Sequence, residues 1–395
     1  MLSSKERLLL SINHKEPDHI PLTFRWVYRN FLKDKNKPWK NQFDRIKDEL
    51  KLGLDPILDI KFPAWRISPE VKIKIWKEKP INEKYPLLFK EYQTPKGSLI
   101  KIIYQTPDWP HGDDIPLLDD FQVPRSRTRK YLIEKLEDVE GFSSLFSEPN
   151  EKELEIFYEE AEKIKHFAEE NGLLIINNFN VTEKDNTLFL GDALAWFCGI
   201  ENMIFATYKN PILTHKILDT LLEWNKKYLK KILEANVIDV ICYRGWYENT
   251  LFWPPKNYKK FIAPRVSELI KMAHDKKVKF CYIMTTNFIP LLDTFIEMGV
   301  DILFGPDPIQ DKMLNLFKLK EKTKNKICLW GGVNAPITIG KGTKKQIEEA
   351  VKNAIDALSI NGGFILSAID TLEDCFSWEN IKHMINSWEK FSKIL

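Results

Sequence analysis

The clearest pattern in the chain lies between residues 276 and 370, where short apolar runs alternate with amphipathic segments of helical length. Four apolar runs form it: Val278–Ile283, Val300–Phe304, Ile327–Trp330 and Gly363–Leu366. Runs this short, separated by helix-length stretches, are typical of parallel strands that are buried on both faces and joined by crossover helices. The pattern therefore predicts repeated βα units.

The first half of the chain has the same pattern, interrupted once. Four further strands are predicted, at His19–Trp26, Pro56–Ile60, Leu173–Phe179 and Val237–Tyr243. Eight strands with intervening helices predict a (β/α)8 (TIM) barrel, and we interpret residues 1–395 as one such domain. Helices are predicted from the Ser3-Ser4 cap to about Asn13 and at Phe43–Lys51, Arg129–Leu136, Lys152–Asn171, Asp192–Phe197, Glu201–Tyr208, Pro211–Ala235, Tyr258–Asp275 and Trp378–Phe391.

Residues 62–124 depart from the barrel pattern. Val71–Glu78 alternates between polar and apolar positions, and two β-rich runs, Phe89–Tyr92 and Leu99–Tyr104, flank the turn sequence Thr94–Gly97. Alternation around a Pro-containing turn with glycine is typical of an antiparallel hairpin. We therefore predict a β-rich insertion after the second barrel strand.

Composition narrows the class of protein. The 59 basic and 56 acidic residues give a formal charge of +3, and the lysines alternate with acidic residues, so no nucleic-acid or anionic-membrane surface is indicated. No apolar window approaches the length of a membrane span, and the amino-terminal apolar run is too short for a signal peptide. We expect a cytoplasmic protein.

The five cysteines are isolated in sequence, with no C-x-x-C pair and no cysteine and histidine at ligand spacing. Three of them, Cys242, Cys281 and Cys328, fall within predicted strands, which is typical of small buried residues in a reducing compartment. No metal site and no tightly bound cofactor are therefore expected.

Polar residues follow many of the predicted strands. In a barrel of this type, side chains at the carboxyl ends of the strands meet at one rim, which carries the chemistry. The predicted rim residues are Arg25 and Arg29 after the first strand, Asp59 after the second, Arg244, Trp246, Tyr247 and Glu248 after the fourth, Tyr282 and Thr285 at the fifth, and Asp307, Asn334 and Asp370 after the last three.

These residue types indicate two kinds of role. Arg25 and Arg29 suit bidentate binding of a carboxylate, or alternatively each pairs with a nearby acid such as Asp59. Asp59, Glu248 and Asp370 are candidates for proton transfer. The aromatic residues of the fourth loop suit a flat organic ligand, although packing of the barrel mouth explains them equally well.

The chain resembles the uroporphyrinogen decarboxylase superfamily, which includes cobalamin-linked methyltransferases. The matching segments are Lys5–Pro21, Thr94–Leu99, Leu291–Asp301, Trp330–Asn334 and Gly362–Ser367. The resemblance implies a (β/α)8 barrel, commonly dimeric, in which Arg25, Arg29 and Asp59 match the family's substrate-binding residues. Trp196 takes the place of a family tyrosine and Asp370 lies near the place of a late histidine.

The resemblance leaves the reaction open. The sequence Ile283–Thr286 stands where the zinc methyltransferases have cysteine and histidine, and these side chains cannot replace zinc ligands. The first interpretation is a metal-free decarboxylase acting on an anionic, flat or tetrapyrrole-like substrate. The alternatives are a methyltransferase component that docks a corrinoid protein, and a non-catalytic tetrapyrrole or corrinoid carrier.

Overall fold

The computed structural model describes residues 2–24, 39–63, 65–177, 189–373 and 375–392. In chain order, the described strands are β1 (Leu22–Thr23), β2 (Ile57–Ile60), β3 (Arg66–Ile67), β4 (Lys72–Glu78), β5 (Leu87–Thr94), β6 (Gly97–Tyr104), β7 (Thr128–Lys130), β8 (Phe146–Ser147), β9 (Leu174–Asn177), β10 (Val240–Arg244), β11 (Lys279–Ile283), β12 (Ile302–Phe304), β13 (Cys328–Asn334) and β14 (Phe364–Ile369).

The α-helices of the same residues are α1 (Ser4–Ile12), α2 (Gln42–Lys51), α3 (Leu136–Ser143), α4 (Glu151–Asn171), α5 (Gly191–Cys198), α6 (Ile200–Lys209), α7 (Pro211–Glu234), α8 (Pro255–Asn257), α9 (Ala263–Asp275), α10 (Leu292–Met298), α11 (Leu316–Thr323), α12 (Lys344–Leu358) and α13 (Trp378–Phe391). Single π turns lie at Tyr258–Ile262 and Ala335–Ile339, and short 3-10 turns at Asp120–Gln122, Trp246–Glu248 and Ile289–Leu291.

Eight parallel strands form the barrel that the sequence predicts, in the spatial order β1-β14-β13-β12-β11-β10-β9-β2. The strands at the two ends of this order meet through Asp55, which lies two residues before β2. The Asp55 amide donates to the Leu22 carbonyl at 2.9 Å, and the Leu22 amide donates to the Asp55 carboxylate at 3.2 Å. These two bonds join β1 to the approach of β2.

The strands are buried on both faces, as their continuous apolar sequences predict. The interior face carries Ile57, Leu174, Ile176, Val240, Cys242, Cys281, Ile283, Ile302, Phe304, Cys328, Trp330, Ile365 and Ile369. Leu8 and Ile12 of α1 belong to this interior cluster. Helix α1 also binds the segments that precede two strands: the Ser4 hydroxyl donates to the Pro56 carbonyl, and the Lys5 backbone amide donates to the Gly172 carbonyl. Helix α1 therefore closes the amino-terminal end, and the carboxyl-terminal end is the mouth.

The insertion forms a four-stranded antiparallel sheet in the order β4-β5-β6-β7. The predicted hairpin is confirmed, because Thr94 pairs with Gly97 at the turn between β5 and β6. The predicted helix at Arg129–Leu136 is wrong. Thr128–Lys130 instead pairs with Ile102 and Ile103 of β6, so the sheet continues past residue 124, and α3 begins only at Leu136.

No helix in the described part of the chain is long and apolar enough to cross a membrane.

Candidate functional site

Arg244 is the centre of a cluster at the barrel mouth. It is the last residue of β10 and lies on the same face of the strand as Val240 and Cys242, which face the barrel interior. Its guanidinium group packs against two indole rings, with Cζ 4.1 Å from the Trp246 ring centre and 5.2 Å from that of Trp196. The side chain is 3% exposed, so both stacking contacts are largely desolvated and strong.

Two carboxylates accompany this arginine. Arg244 Nη1 lies 2.9 Å from Asp192 Oδ2, and Nη2 lies 3.7 Å from Asp120 Oδ2. Asp192 is fully buried in the first turn of α5, and burial raises its pKa to about 6, against the opposing effect of Arg244. Asp192 also accepts the Tyr247 amide at 2.7 Å, which ties α5 to the loop after β10.

Asp120 is a residue that the sequence did not single out. It lies in the insertion, and its carboxylate accepts the Trp196 indole N–H at 2.8 Å and the Tyr247 hydroxyl at 3.0 Å. It is half exposed and belongs to an acidic pair, Asp119-Asp120, that is ordinary for a surface turn. Only the fold brings it to the mouth, because its partners lie 76 and 127 residues away along the chain.

The central ion pair leaves hydrogen-bonding capacity unused. Neither Arg244 Nη1 nor Asp192 Oδ2 has a hydrogen-bond partner within the described residues, although the two atoms are close, because their mutual geometry is unsuitable. Buried polar atoms without partners are rare and costly, so a donor of this kind beside the mouth has capacity left for a water molecule or a ligand group. The guanidinium group can therefore donate to an acceptor that enters the mouth.

Asp59 and Asp370 end neighbouring parts of the same rim. Asp59 lies two residues after Ile57 and so on the same, interior face of β2. The Gln42 side chain donates through Nε2 to the Asp59 carbonyl and accepts the Asp59 backbone N–H through Oε1, each at 3.0 Å. Asp370 directly follows β14 with φ of +74°, a left-handed conformation that is strained for an aspartate, and it accepts the Thr371 amide. Both remain candidates for proton transfer.

Glu248, predicted at the rim with Asp59 and Asp370, is held in a buried hydrogen-bond network. Its carboxylate accepts the Tyr243 hydroxyl at 2.6 Å, the Gly191 amide at 2.7 Å and the Tyr282 hydroxyl. Tyr243 and Tyr282 belong to the core between strands and helices, not to the interior cluster. Glu248 and Tyr282 are fully buried behind the strands.

The remaining predicted residues fall into three groups. Asp307 and Asn334 are buried and bonded to each other at 2.7 Å, and they otherwise cap their own loops, so their polar atoms are largely engaged by the protein. Thr285 is half-buried in the loop after β11. Arg25 and Arg29 lie outside the described residues.

Candidate metal ligands do not cluster: the described residues contain no group of three or more histidine, cysteine or acidic side chains suited to a metal ion. The cysteines of β10, β11 and β13 are buried in the barrel interior, where burial raises the pKa of Cys328 to about 12. These thiols behave as apolar core residues.

Comparisons with known proteins agree with this geometry. The family model for uroporphyrinogen decarboxylase (URO-D) matches residues 196–391. This segment contains Trp196, Arg244, Trp246, Tyr247 and Asp370. The chain is a divergent member of the uroporphyrinogen decarboxylase superfamily. It therefore belongs to a superfamily of enzymes.

One solved structure shows the same fold over nearly the whole chain. A methyltransferase from Methanosarcina mazei matches with a TM-score of 0.59 and 17% sequence identity, over 99% of this chain and 99% of that one. A B12-independent methionine synthase from Shewanella gives a TM-score of 0.42 at 10% identity, over 62% of this chain and 66% of that one. A D-psicose 3-epimerase from Clostridium cellulolyticum gives 0.34 at 14%, over 59% and 81%. No curated protein sequence matches.

Proposed function

We propose that this superfamily member acts at the mouth of the barrel on a flat organic substrate that carries a carboxylate, by decarboxylase-type chemistry. The observation that carries the proposal is Arg244, which packs against two indoles. Its Nη1 lies 2.9 Å from Asp192 Oδ2 but makes no hydrogen bond within the described residues. A guanidinium group binds carboxylates without risk of deprotonation, and an aromatic wall suits a planar substrate.

The insertion contributes to this site. Asp120, in the turn between β6 and β7, accepts hydrogen bonds from Trp196 and Tyr247, so the insertion holds two rings of the aromatic wall in place. Rigid aromatic side chains with few conformations lose little entropy when a ligand binds. We infer that the insertion sets which substrates fit against the rings.

In the proposed reaction the bond between the substrate carbon and its carboxylate breaks. Carbon dioxide leaves, and the electron pair of that bond remains on the carbon, which then accepts a proton. Asp59 and Asp370 are the candidates for the proton donor, because each ends a barrel strand at the rim. Glu248 is not a candidate for this step, because its carboxylate is fully buried and already accepts three hydrogen bonds.

The test is ligand binding by Arg244 variants. Uroporphyrin and a methoxylated benzoate serve as probes in calorimetric titrations of the wild type, Arg244→Gln and Arg244→Lys. We expect Arg244→Gln to weaken binding of the recognised probe by at least about tenfold, as for loss of a charged hydrogen bond. Arg244→Lys, which keeps the charge but loses the planar fork, is expected to be intermediate.

Arg66→Gln is the matched control, because Arg66 is part of an ion pair with Glu153 and is 41% exposed on β3. Equal affinity of Arg244→Gln and the wild type for every probe, with unchanged melting, would remove the proposal.

A second candidate function is methyl transfer to a corrinoid on a partner protein. The similarity to the Methanosarcina mazei methyltransferase over 99% of both chains favours it as much as the decarboxylase interpretation. The heteroatom that loses the methyl group keeps the bonding electron pair and accepts a proton, for which Asp59 and Asp370 are again the candidates. Incubation with a methoxylated benzoate and reduced cobalamin distinguishes the two: methyl transfer yields the phenol, and decarboxylation yields carbon dioxide.

A further inference from the structure

Helix α5 delivers two residues to the mouth although it is short and wholly enclosed. All eight of its residues, Gly191–Cys198, are buried. Asp192 and Trp196 are four residues apart, so they share one face of the helix, and this face meets Arg244. The position of α5 therefore fixes both the carboxylate and one indole that contact the guanidinium group.

A pair of exchanged bonds joins the amino end of α5 to the loop after β10. The Glu248 carboxylate of the loop accepts the Gly191 amide of the helix at 2.7 Å, and the Asp192 carboxylate of the helix accepts the Tyr247 amide of the loop at 2.7 Å. We call these two bonds the α5 clasp. Each carboxylate satisfies a backbone N–H of the other segment.

Glycines permit the close approach that the clasp needs. A Cβ atom at Gly191 would lie 2.4 Å from Glu248 Cγ, and one at Gly245 would lie 2.6 Å from a ring carbon of Tyr282. Both distances are too short for real contacts. A side chain at Gly191 therefore has no room beside Glu248, and one at Gly245 has none beside Tyr282.

The carboxyl end of α5 is held by a buried lysine. Lys101 of β6 is 2% exposed, and its ammonium group donates to the Trp196 carbonyl at 2.7 Å. This carbonyl belongs to the last turn of α5, where carbonyls lack partners within the helix. The carboxylate at the amino end and, in its protonated form, the ammonium group at the carboxyl end match the helix dipole.

We propose that Glu248 and Lys101 are positioning residues that hold α5 from its two ends, so that Asp192 and Trp196 lie against Arg244. Glu248 acts through α5 and the Trp246-Tyr247 loop and does not touch the substrate. The inference concerns the geometry of the mouth, so it stands or falls independently of which reaction takes place there.

The network behind Glu248 favours its ionised form. Tyr243, Tyr282 and Gly191 donate to its two oxygens, and Tyr258 in turn donates to the Tyr282 hydroxyl at 2.9 Å. The titratable groups facing Glu248 are these three tyrosines, from β10, β11 and the π turn, and Asp192 from α5. These donors lower the pKa of Glu248, but burial, the largest effect, and the neighbouring Asp192 raise it, and the resulting pKa is about 7.

The test measures hydrogen exchange of backbone amides near the clasp by NMR. In the wild type at pH 8, Gly191 and Tyr247 are expected to be protected. Glu248→Gln is expected to speed exchange at both amides by at least about tenfold, because a charge-assisted bond is lost, while amides of α12 stay unchanged. Lys101→Met is expected to speed exchange in the last turn of α5 alone.

A pH series adds a readout that a purely structural role would not affect. As the pH falls from about 8 to about 6, protonation of Glu248 removes the charge that its three donors serve. Protection of Gly191, corrected for the intrinsic exchange rate, should then fall in the wild type but stay constant in Glu248→Gln. Asp192→Asn is run in parallel, because Asp192 titrates at lower pH.

Asp311→Asn is the matched control: Asp311 is a buried carboxylate that accepts the Asn287 and Met313 amides elsewhere on the rim. If Glu248→Gln does not fold, Tyr282→Phe and Tyr243→Phe each remove one donor and should give smaller increases at Gly191 and Tyr247. Unchanged exchange at α5 in the folded variants, or an equal increase throughout the barrel, would overturn the proposal.

Discussion

Arg244 must balance more negative charge than one guanidinium group carries. Asp192 pairs with it, Asp120 lies at its edge, and Glu248 is buried one turn away along the chain. Burial raises the pKa of Asp192 to about 6 and that of Glu248 to about 7, so the two acids are ionised in sequence as the pH rises toward neutrality. The charge of the site therefore changes in the physiological range.

The space around Glu248 gives a test at a single residue. A methyl group at Gly191 would overlap Glu248 Cγ, and an enclosed helix cannot move away. We expect Gly191→Ala to lower the free energy of unfolding by about 1–3 kcal/mol, the usual cost of overpacking a core, measured by urea denaturation.

Gly141→Ala is the comparison, because Gly141 lies within α3 and its nearest neighbours would be 3.3 Å from the new Cβ atom. There the gain in helix propensity, about 1 kcal/mol, offsets the tighter contacts, and we expect stability to change little. Similar losses in the two variants would show that Gly191 is not specially confined.

The sequence predicted some residues of the site and not others, for reasons that are visible at this scale. Arg244, Trp246 and Tyr247 were found because they directly follow an apolar strand. Tyr282 was predicted at the rim, and its side chain lies in the core between strands and helices, because a strand buried on both faces has no polar alternation to show which face is interior. Glu248, in the turn after β10, is buried against Tyr243 and Tyr282. Asp120 depends on contacts across more than seventy residues, which no local pattern encodes.

At the scale of elements, the boundaries of most helices and barrel strands followed from periodicity and capping. Helix α13 spans Trp378–Phe391 as predicted, and the Ser3 capping box begins α1. The segment Arg129–Leu136 failed because its first residues complete a sheet with β6, and pairing with a strand outweighs a short helical periodicity. The error lies where the insertion returns to the barrel.

Lys101 links that insertion to α5, and its burial has a consequence for stability. Burial lowers the pKa of Lys101 from 10.5 to about 7. Between pH 7 and pH 10.5 the unfolded chain binds more protons at this lysine than the folded chain does. The contribution of Lys101 to the free energy of unfolding therefore rises with pH, and its destabilising effect is complete below about pH 7. A pKa change of one corresponds to about 1.4 kcal/mol.

We therefore compare the free energy of unfolding of Lys101→Met with that of the wild type at the same pH, by urea denaturation. We expect this difference to favour the variant by at least about 1 kcal/mol more at pH 6 than at pH 9. Lys77→Met, at a lysine that is 47% exposed on β4, should stay within about 0.5 kcal/mol of the wild type. A difference between Lys101→Met and the wild type that does not vary with pH would contradict the argument.

At the scale of the whole molecule, a barrel is stable only if its first and last strands in the spatial order are joined, because an open edge leaves backbone groups unpaired. Here Asp55 joins them, through its amide to the Leu22 carbonyl and its carboxylate to the Leu22 amide. Arg7 of α1 binds the same carboxylate at 2.5 Å, so the helix that closes the amino end also neutralises this junction.

Removal of Asp55 should therefore weaken the closure of the barrel and leave a buried cation short of a partner. We expect Asp55→Ala to lower the free energy of unfolding by about 3–5 kcal/mol, the usual cost of breaking a buried ion pair, with urea denaturation as the measurement. Asp18 binds the same Arg7 at 2.7 Å but is 36% exposed, so Asp18→Ala should cost only about 1 kcal/mol. Since both variants remove a carboxylate from one arginine, equal losses would mean that Asp55 contributes as an ion pair alone, and that the barrel is closed by other contacts.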